Sequence, residues 1–494
     1  MRLLLANEDK AQSRRLQRAA AAGQLRRIYP GIYTDDLVQP LDSIVRRELF
    51  ALCSTVAPGS VISHRSALEG GRFTAAGNLF LTGAHRRDFE LPGAKLRMVK
   101  GAGPLESDIR IPTFAGDAFI SSQARALLEN LTYSRGDPAE RRTIGAEGVE
   151  EWLARFVSRD VNGAINKIRD AARTVAGPLE LESEFKQLDQ IIGALLGTRR
   201  AHLTAPAAVA RAAGKPYDAA RVTLFQTLAV ELQANPLQVP LADPNTDANL
   251  QAFIETYFSN YIEGTEFEIE EAHEIVVRGR PIKYREDDSH DILGTYRAIL
   301  ESKATPAVPQ RFEDFAKQLQ DWNREVIESR QEKKPGEFKT ESNRAGNTVF
   351  VTPDLVIGTL EKGYEIIMSA ATPANRSALA MFVVAEVHPF TDGNGRTARL
   401  AMNQFLTEAG LTRIIIPTVY RDDYISALKA MSSNSLPTPL VRMLARAARF
   451  SRWVGMTSKA SAFADLKRSN ALGRPETDKL TFDDSFASTP AAGG

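Results

Sequence analysis

Within twelve residues, HPFTDGNGRTAR, His388 to Arg399, the chain sets a histidine, an aspartate, two glycines, an asparagine and two arginines between apolar segments. An imidazole is the ordinary proton acceptor near neutral pH. Asp392-Gly393-Asn394-Gly395 supplies glycines that take positive φ and consecutive N–H groups that turn inward as a nest for an anion such as phosphate. A helix starting at about Gly395 adds its unpaired N–H groups and the positive end of its dipole to the same seat. Arg396 and Arg399, three apart on its first turn, then reach one polyphosphate together. Asp392 offers a hard oxygen ligand of the kind that holds Mg²⁺ along with phosphate oxygens. Attack at a phosphorus needs these parts: a base, preorganised donors and a metal across the phosphates. The competing readings are a plain DGNG turn and a histidine that only caps a helix. Helical rather than alternating flanks argue against the first, and the adjacent nest against the second.

Those residues need rigid supports. Residues 374–388, ANRSALAMFVVAEVH, are apolar nearly all round, which predicts a buried helix. Pro389 must stop it at His388, holding the imidazole at a helix end. Leu250, Phe253, Ile254, Tyr257, Phe258, Tyr261 and Ile262 form one apolar stripe of an amphipathic helix that Gly264 ends as a C-cap. Helices follow through Leu300 and from Phe312 to about Glu332. PGEFKTESNRAGNTVFVTP, 335–353, reads as a β-hairpin with a polar tip. PTPLVRMLARAARFSRWV closes the fold, and the Ser, Ala, Thr, Gly and charge of 457–494 predict a disordered tail.

HPFTDGNGRTAR matches HxFx(D/E)GNGRxxR at every defined position, so the chain resembles Fic (Fido) enzymes over about 249–456, an all-α fold with a β-hairpin flap. The resemblance implies transfer of AMP from ATP, with Mg²⁺, to a Ser, Thr or Tyr hydroxyl of a target protein. It makes His388 the general base, Phe390 a core residue and Asp392 the Mg²⁺ ligand. Gly393, Asn394, Gly395 and Arg396 bind the α- and β-phosphates, Arg399 the γ-phosphate, and Tyr424 lines the adenine pocket. The hairpin becomes the flap that lays the target segment across the site as an added strand. SNYIEG, Ser259 to Gly264, matches the inhibitory pattern (S/T)xxxE(G/N), in which Ser259, Glu263 and Gly264 belong to an N-terminal inhibitory helix, 249–264. Glu263 would then pair with Arg399 and deny it to the γ-phosphate; the alternative is a solvated helix end. Two other functions stay open: de-AMPylation or another phosphate-linked transfer at the same site, and a DNA-binding regulator whose Fic domain senses nucleotide.

The 494 residues suffice for about three domains. KAQSRRLQRAAAAGQLRRIYPGIYT predicts a helix to Gly23 and then two short strands around Pro-Gly, resembling the N-terminal winged helix of AbiEi-type antitoxins over 1–50. SHRSALEG and FISSQARALLENL, within a small α/β region at 51–145, extend that resemblance; 146–240 reads as a helical middle region and proline-rich linker. Arg14, Arg15, Arg18, Arg26 and Arg27 form a basic cluster suited to DNA phosphates, or else a solvated face or a surface for the target protein. The net charge of +1 excludes whole-protein attraction to nucleic acid or an anionic membrane, and the single Cys53 excludes an intrachain disulfide framework. No apolar run reaches about 18 residues, so the expectation is a cytoplasmic multidomain, mainly α protein without a membrane span, its oligomeric state open.

Overall fold

The computed structural model describes residues 3–6, 10–158, 163–346 and 348–483. The chain divides into two compact units, Met1–Gly214 and Lys215–Gly494.

In the first unit, strands Leu3–Leu5, Ile32–Thr34 and Arg26–Tyr29 form an antiparallel sheet with Ile32–Thr34 central. The Pro-Gly turn falls where the sequence puts it. One helix, Lys10–Ala21, precedes the hairpin and buries no residue. A helix-turn-helix pair is therefore not formed among the described residues before the hairpin. KAQSRRLQRAAA carries one large apolar side chain, Leu16, too little to pack a second helix. A six-stranded mixed sheet follows, ordered Arg87–Leu91, Ala94–Lys100, Asn78–Gly83, Val61–Ile62, Gly116–Ile120, Ile109–Thr113. Leu52, Val61, Leu79, Leu81 and Leu96 are fully buried in this unit. Helix Gln123–Leu131 sets Arg125, fully buried, between Asp108 and Glu129, each 2.7 Å away.

The middle region is not one block. Gly214 ends the first unit, and helix Ala219–Ala234 joins the second, where Phe225 meets Phe382 edge-on with ring centroids 6.0 Å apart. The break at GKP, residues 214–216, divides 146–240, and apolar Phe225, Leu228 and Leu232 draw the later part into the second core.

That core surrounds helix Pro373–Val387. Thr372 caps it by accepting from Asn375 N–H at 3.1 Å, and Pro373 occupies the first turn, where its missing N–H costs nothing. Its residues Ala378 to Val384 are completely buried, as its all-round apolar sequence requires. Helix Ala248–Ile262 begins at Asp247, whose carboxylate accepts from Asn249 and Leu250 N–H; Gly264, at φ 94°, takes the left-handed conformation just beyond its end. The hairpin is shorter than the sequence suggests: Arg344–Ala345 pairs antiparallel with Thr348–Val349. The tail also differs. Ser458 caps helix Lys459–Arg468, Ala462 and Leu466 are fully buried, and Phe482 packs on Phe450 and Trp453. Widely spaced Phe463, Leu466, Leu480 and Phe482 in a small polar composition conceal this packing from a composition argument; 484–494 lie outside the described residues.

Candidate functional site

His388 sits one residue beyond helix Pro373–Val387, in the left-handed conformation at φ 53°, as a C-cap whose N–H still bonds Val384 O. Non-glycine residues adopt that conformation at a cost, typically of order 1–3 kcal/mol, where their surroundings enforce it. Pro389 and the loop beyond do so here. Asn394 closes the loop on itself: its side chain accepts from Phe390 N–H and donates to Phe390 O, both at 2.8 Å. Fully buried Phe390 is bridged to Phe338, with ring centroids 5.4 Å apart. Asn394 is thus committed by its side chain to the loop, which leaves its backbone N–H for an anion.

Gly393, at φ 74°, is the N-cap of helix Asn394–Glu408. A Cβ there would press on Asn323 and Ile327 at 2.9 Å, so both its conformation and its packing demand glycine. The N–H groups of Asn394, Gly395 and Arg396 open this helix without intrahelical acceptors. Asp392 accepts from Gly393 N–H through Oδ1 at 2.6 Å, and no described residue bonds its Oδ2. No group of three or more His, Cys, Asp or Glu side chains that could hold a metal occurs among the described residues. One free carboxylate oxygen beside a phosphate seat fits a hard divalent cation that takes its other ligands from phosphates and water.

The two arginines of the motif are held differently. Arg396, 3 % exposed, donates to Asn260 Oδ1 at 3.1 Å and pairs with Asp291 Oδ2 at 2.9 Å. Asp291 is itself buried and also takes Arg330, at 2.7 Å. Arg399 donates Nε to Ser259 Oγ at 3.0 Å, and Nη2 to Ser259 O at 2.9 Å and Glu263 Oε1 at 2.7 Å. Tyr424, 2 % exposed, lies beneath it with its ring centroid 6.0 Å from the guanidinium, and its hydroxyl meets Met381 Sδ. In this state Tyr424 backs Arg399. Its buried ring offers almost no surface to a nucleobase.

Glu263 follows Ile262 at the end of the stripe helix, and its carboxylate reaches over the nest. A Cβ built on Gly395 would run into Glu263 Oε1. Burial pushes the Glu263 carboxyl up, but Arg399 and Arg396 outweigh it and hold the group below the ordinary carboxylate range. The chain's own carboxylate lies over the helix N-terminus that could seat an anion. At His388 burial dominates and lowers the imidazole to about 4, so the ring is neutral at pH 7 and a weaker base than an exposed imidazole. Neighbouring Lys339, bonded to Asn343 Oδ1 and Val387 O, is lowered to about 7, by burial and then by Arg221.

The structure therefore brings together His388, Asp392, Gly393, Asn394, Gly395, Arg396, Arg399 and Tyr424 with Ser259 and Glu263; Gly264 ends the helix that delivers the last two. Among the N-terminal arginines, Arg14, Arg15, Arg18 and Arg27 are exposed, whereas Arg26 is tied to the carbonyls of Asp36 and Gln39. Sequence reasoning missed Asp291, Asn343 and Phe350. Asp291 lies in EDDSHD, which looks like the solvated acidic first turn of a helix, and only tertiary packing separates it from its neighbours.

Residues 312–406 match the Fic/DOC family. Over that segment the chain is similar to Fic domains. It is similar to protein adenylyltransferase fic-1 of Caenorhabditis elegans, with 26 % identity over 46 % of this chain and 45 % of that protein. It is also similar to protein adenylyltransferase Fic of Drosophila virilis, with 31 % identity over 38 % of this chain and 39 % of that protein. The matches thus span less than half the length of these relatives. A solved structure of Fic-1 (residues 134–508) from C. elegans aligns over 65 % of this chain and 98 % of that one, at 18 % identity and a TM-score of 0.36. The Fic match covers the nest, His388 and the hairpin; Ser259, Glu263 and Tyr424 fall outside it. Among the described residues no helix is long and apolar enough to cross a membrane.

Proposed function

We propose that the chain is a protein adenylyltransferase: it transfers AMP from ATP to a hydroxyl side chain of a target protein, with Mg²⁺ at Asp392, and is self-inhibited by helix Ala248–Ile262. The observation that carries this reading is Glu263, an anion of the chain itself, lying over Gly395 and paired to Arg399 at 2.7 Å. A carboxylate settled there supports both an anion seat and its blockade. A γ-phosphate reaching for Arg399 meets like charge, and the arginine it needs is already engaged. Neutral His388 removes the proton of the attacking hydroxyl, and the helix N-terminus and Arg396 steady the phosphates; a Mg²⁺ held by Asp392 would supply neutralisation of phosphate charge. Cell lysate incubated with α-labelled ATP, Mg²⁺ and the Glu263→Gly variant tests the reading. A labelled protein band should appear, and the additional change His388→Ala should abolish it, a loss of about 10² to 10⁴ in rate for a general base. Equal labelling by the His388→Ala form would exclude His388 as the base. AMP removal or transfer of another phosphate-linked group by the same residues remains the alternative at this site.

A second reading concerns the first unit. Helix Lys10–Ala21 buries nothing and exposes Arg14, Arg15 and Arg18, which supports contact with DNA phosphates. Replacing the three by alanine should weaken binding of the full chain to duplex DNA and flatten its salt dependence. Unchanged anisotropy titrations would leave a solvated helix or a protein-recognition surface.

A further inference from the structure

The hairpin lays an aromatic ring flat on the candidate base. Phe350, just past the second strand, has its ring centroid 3.8 Å from that of the His388 imidazole, with the planes 3° apart. Stacking at that distance closes one face of the imidazole, and Nδ1 faces Ala385 O, so water or a hydroxyl reaches the in-plane lone pair of Nε2 only past the ring edge or from the other face. Phe350 N–H donates to Asn343 O at 3.2 Å, and Asn343 Nδ2 donates to Phe390 O at 3.0 Å, which fastens the base of the hairpin to the motif loop. A second fastening comes from outside the matched Fic segment. Arg221, on helix Ala219–Ala234, donates to the carbonyl of Val349 and pairs with Glu386 on the buried helix. Glu386 is 3 % exposed and also accepts from Ser432. Val349 itself is 58 % exposed, so the hairpin edge beside the ring is open to an incoming peptide.

We propose that Phe350 is a water-excluding plate over His388, held shut by Arg221, that suppresses transfer of AMP to water while no acceptor is docked. The reaction it suppresses rests on the adenylyltransferase reading; the plate rests on geometry alone. In that side reaction a water oxygen attacks the α-phosphorus while His388 accepts one of its protons. The bond from the α-phosphorus to the bridging oxygen breaks, its electron pair leaves on pyrophosphate, and ATP becomes AMP and pyrophosphate. A target hydroxyl differs from water in arriving on a segment laid along the hairpin, so its docking displaces the ring and fills the opening at once. Phe350 is thus a positioning residue that discriminates between two acceptors of the same chemistry.

Acylation by diethyl pyrocarbonate tests the plate without ATP, since the reagent modifies neutral, accessible imidazoles. The full chain carries its own references. His85, His202 and His290 are exposed, and His273, edge-on to Phe253 at 5.0 Å, reports the integrity of the second unit. Mass spectrometry of the wild type should find His388 acylated much more slowly than the three exposed histidines. Phe350→Ala should accelerate it about tenfold, and so should Arg221→Gln, which keeps the ring and cuts the clasp; Phe350→Tyr should restore protection, with His273 unchanged throughout. In the Glu263→Gly background, without acceptor, Phe350→Ala should raise AMP and pyrophosphate release severalfold. Unchanged acylation of His388 in Phe350→Ala would overturn the plate. Faster acylation with no rise in AMP release, from an enzyme that still labels protein, would overturn the water-excluding role. Failure of Glu263→Gly to consume ATP at all would instead overturn the adenylyltransferase reading and leave acylation to decide the plate.

Discussion

Burial sets the protonation state of His388 more strongly than its charged neighbours do, and this has a consequence for stability. Its folded value of about 4 lies below the ordinary imidazole value of about 6.5, so between the two the unfolded chain binds more protons than the folded one. The contribution is fully present above about pH 6.5 and is lost as pH falls through about 4. At 1.36 kcal/mol per unit, it amounts to roughly 3 kcal/mol. We expect the melting temperature of the second unit to fall over that window, and to fall less in His388→Gln. Scanning calorimetry checks this, and parallel slopes for the two proteins would contradict the burial argument. Asp291 makes the complementary case of a buried charge that has partners. Asp291→Asn removes the nearest carboxylate of Arg330 and Arg396, leaving Asp288 at 3.9 Å and Asp392 at 4.0 Å, and breaking such a buried pair costs about 3–5 kcal/mol. ATP affinity should fall as Arg396 loses its anchor, and the double change with Arg396→Met should be less destabilising than the sum of the singles. Additive losses in denaturant titrations would mean that Asp291 serves Arg330 alone.

Helix ends are the elements on which the site depends, and they respond to single substitutions. Gly395→Ala would place a methyl where the Glu263 carboxylate now sits, and where phosphate oxygens would approach the backbone. It should weaken ATP and ADP binding alike and should not mimic release of the proposed inhibitory helix, because the seat itself is filled. Calorimetric titration distinguishes the cases: normal ADP binding by the Gly395→Ala variant would place the phosphates elsewhere. These helix ends were legible in the sequence because each has a local cause. Pro389 stops one helix, Gly393 starts the next, and Gly264 follows the stripe helix. The hairpin was legible in kind and not in length, since two paired residues per strand leave little pattern to read. The tail helix was concealed by composition, and Asp291 by neighbours of identical type. Both depend on packing between segments far apart in the chain.

At the scale of the whole molecule, the division at Gly214 gives the site an origin outside the matched segment as well as inside it. Helix Ala219–Ala234 supplies Arg221, and helix Ala248–Ile262 delivers Ser259 toward Arg399 with Glu263 just beyond its end. Residues 312–406 carry His388, the nest and the hairpin, so the proposed catalytic parts and their proposed restraint come from different stretches of one unit. The measurement that tests this account most directly is the initial rate of AMP transfer from α-labelled ATP in wild type, Glu263→Gly, and Glu263→Gly combined with Arg399→Ala. A charge-assisted contact is worth roughly 1.5–3 kcal/mol, or about ten- to a hundredfold in rate. The account predicts a gain of that size for Glu263→Gly and loss of most of it in the double variant, since the freed arginine is what the γ-phosphate needs. A Glu263→Gly rate equal to wild type, with ATP in excess and a competent acceptor present, would contradict it.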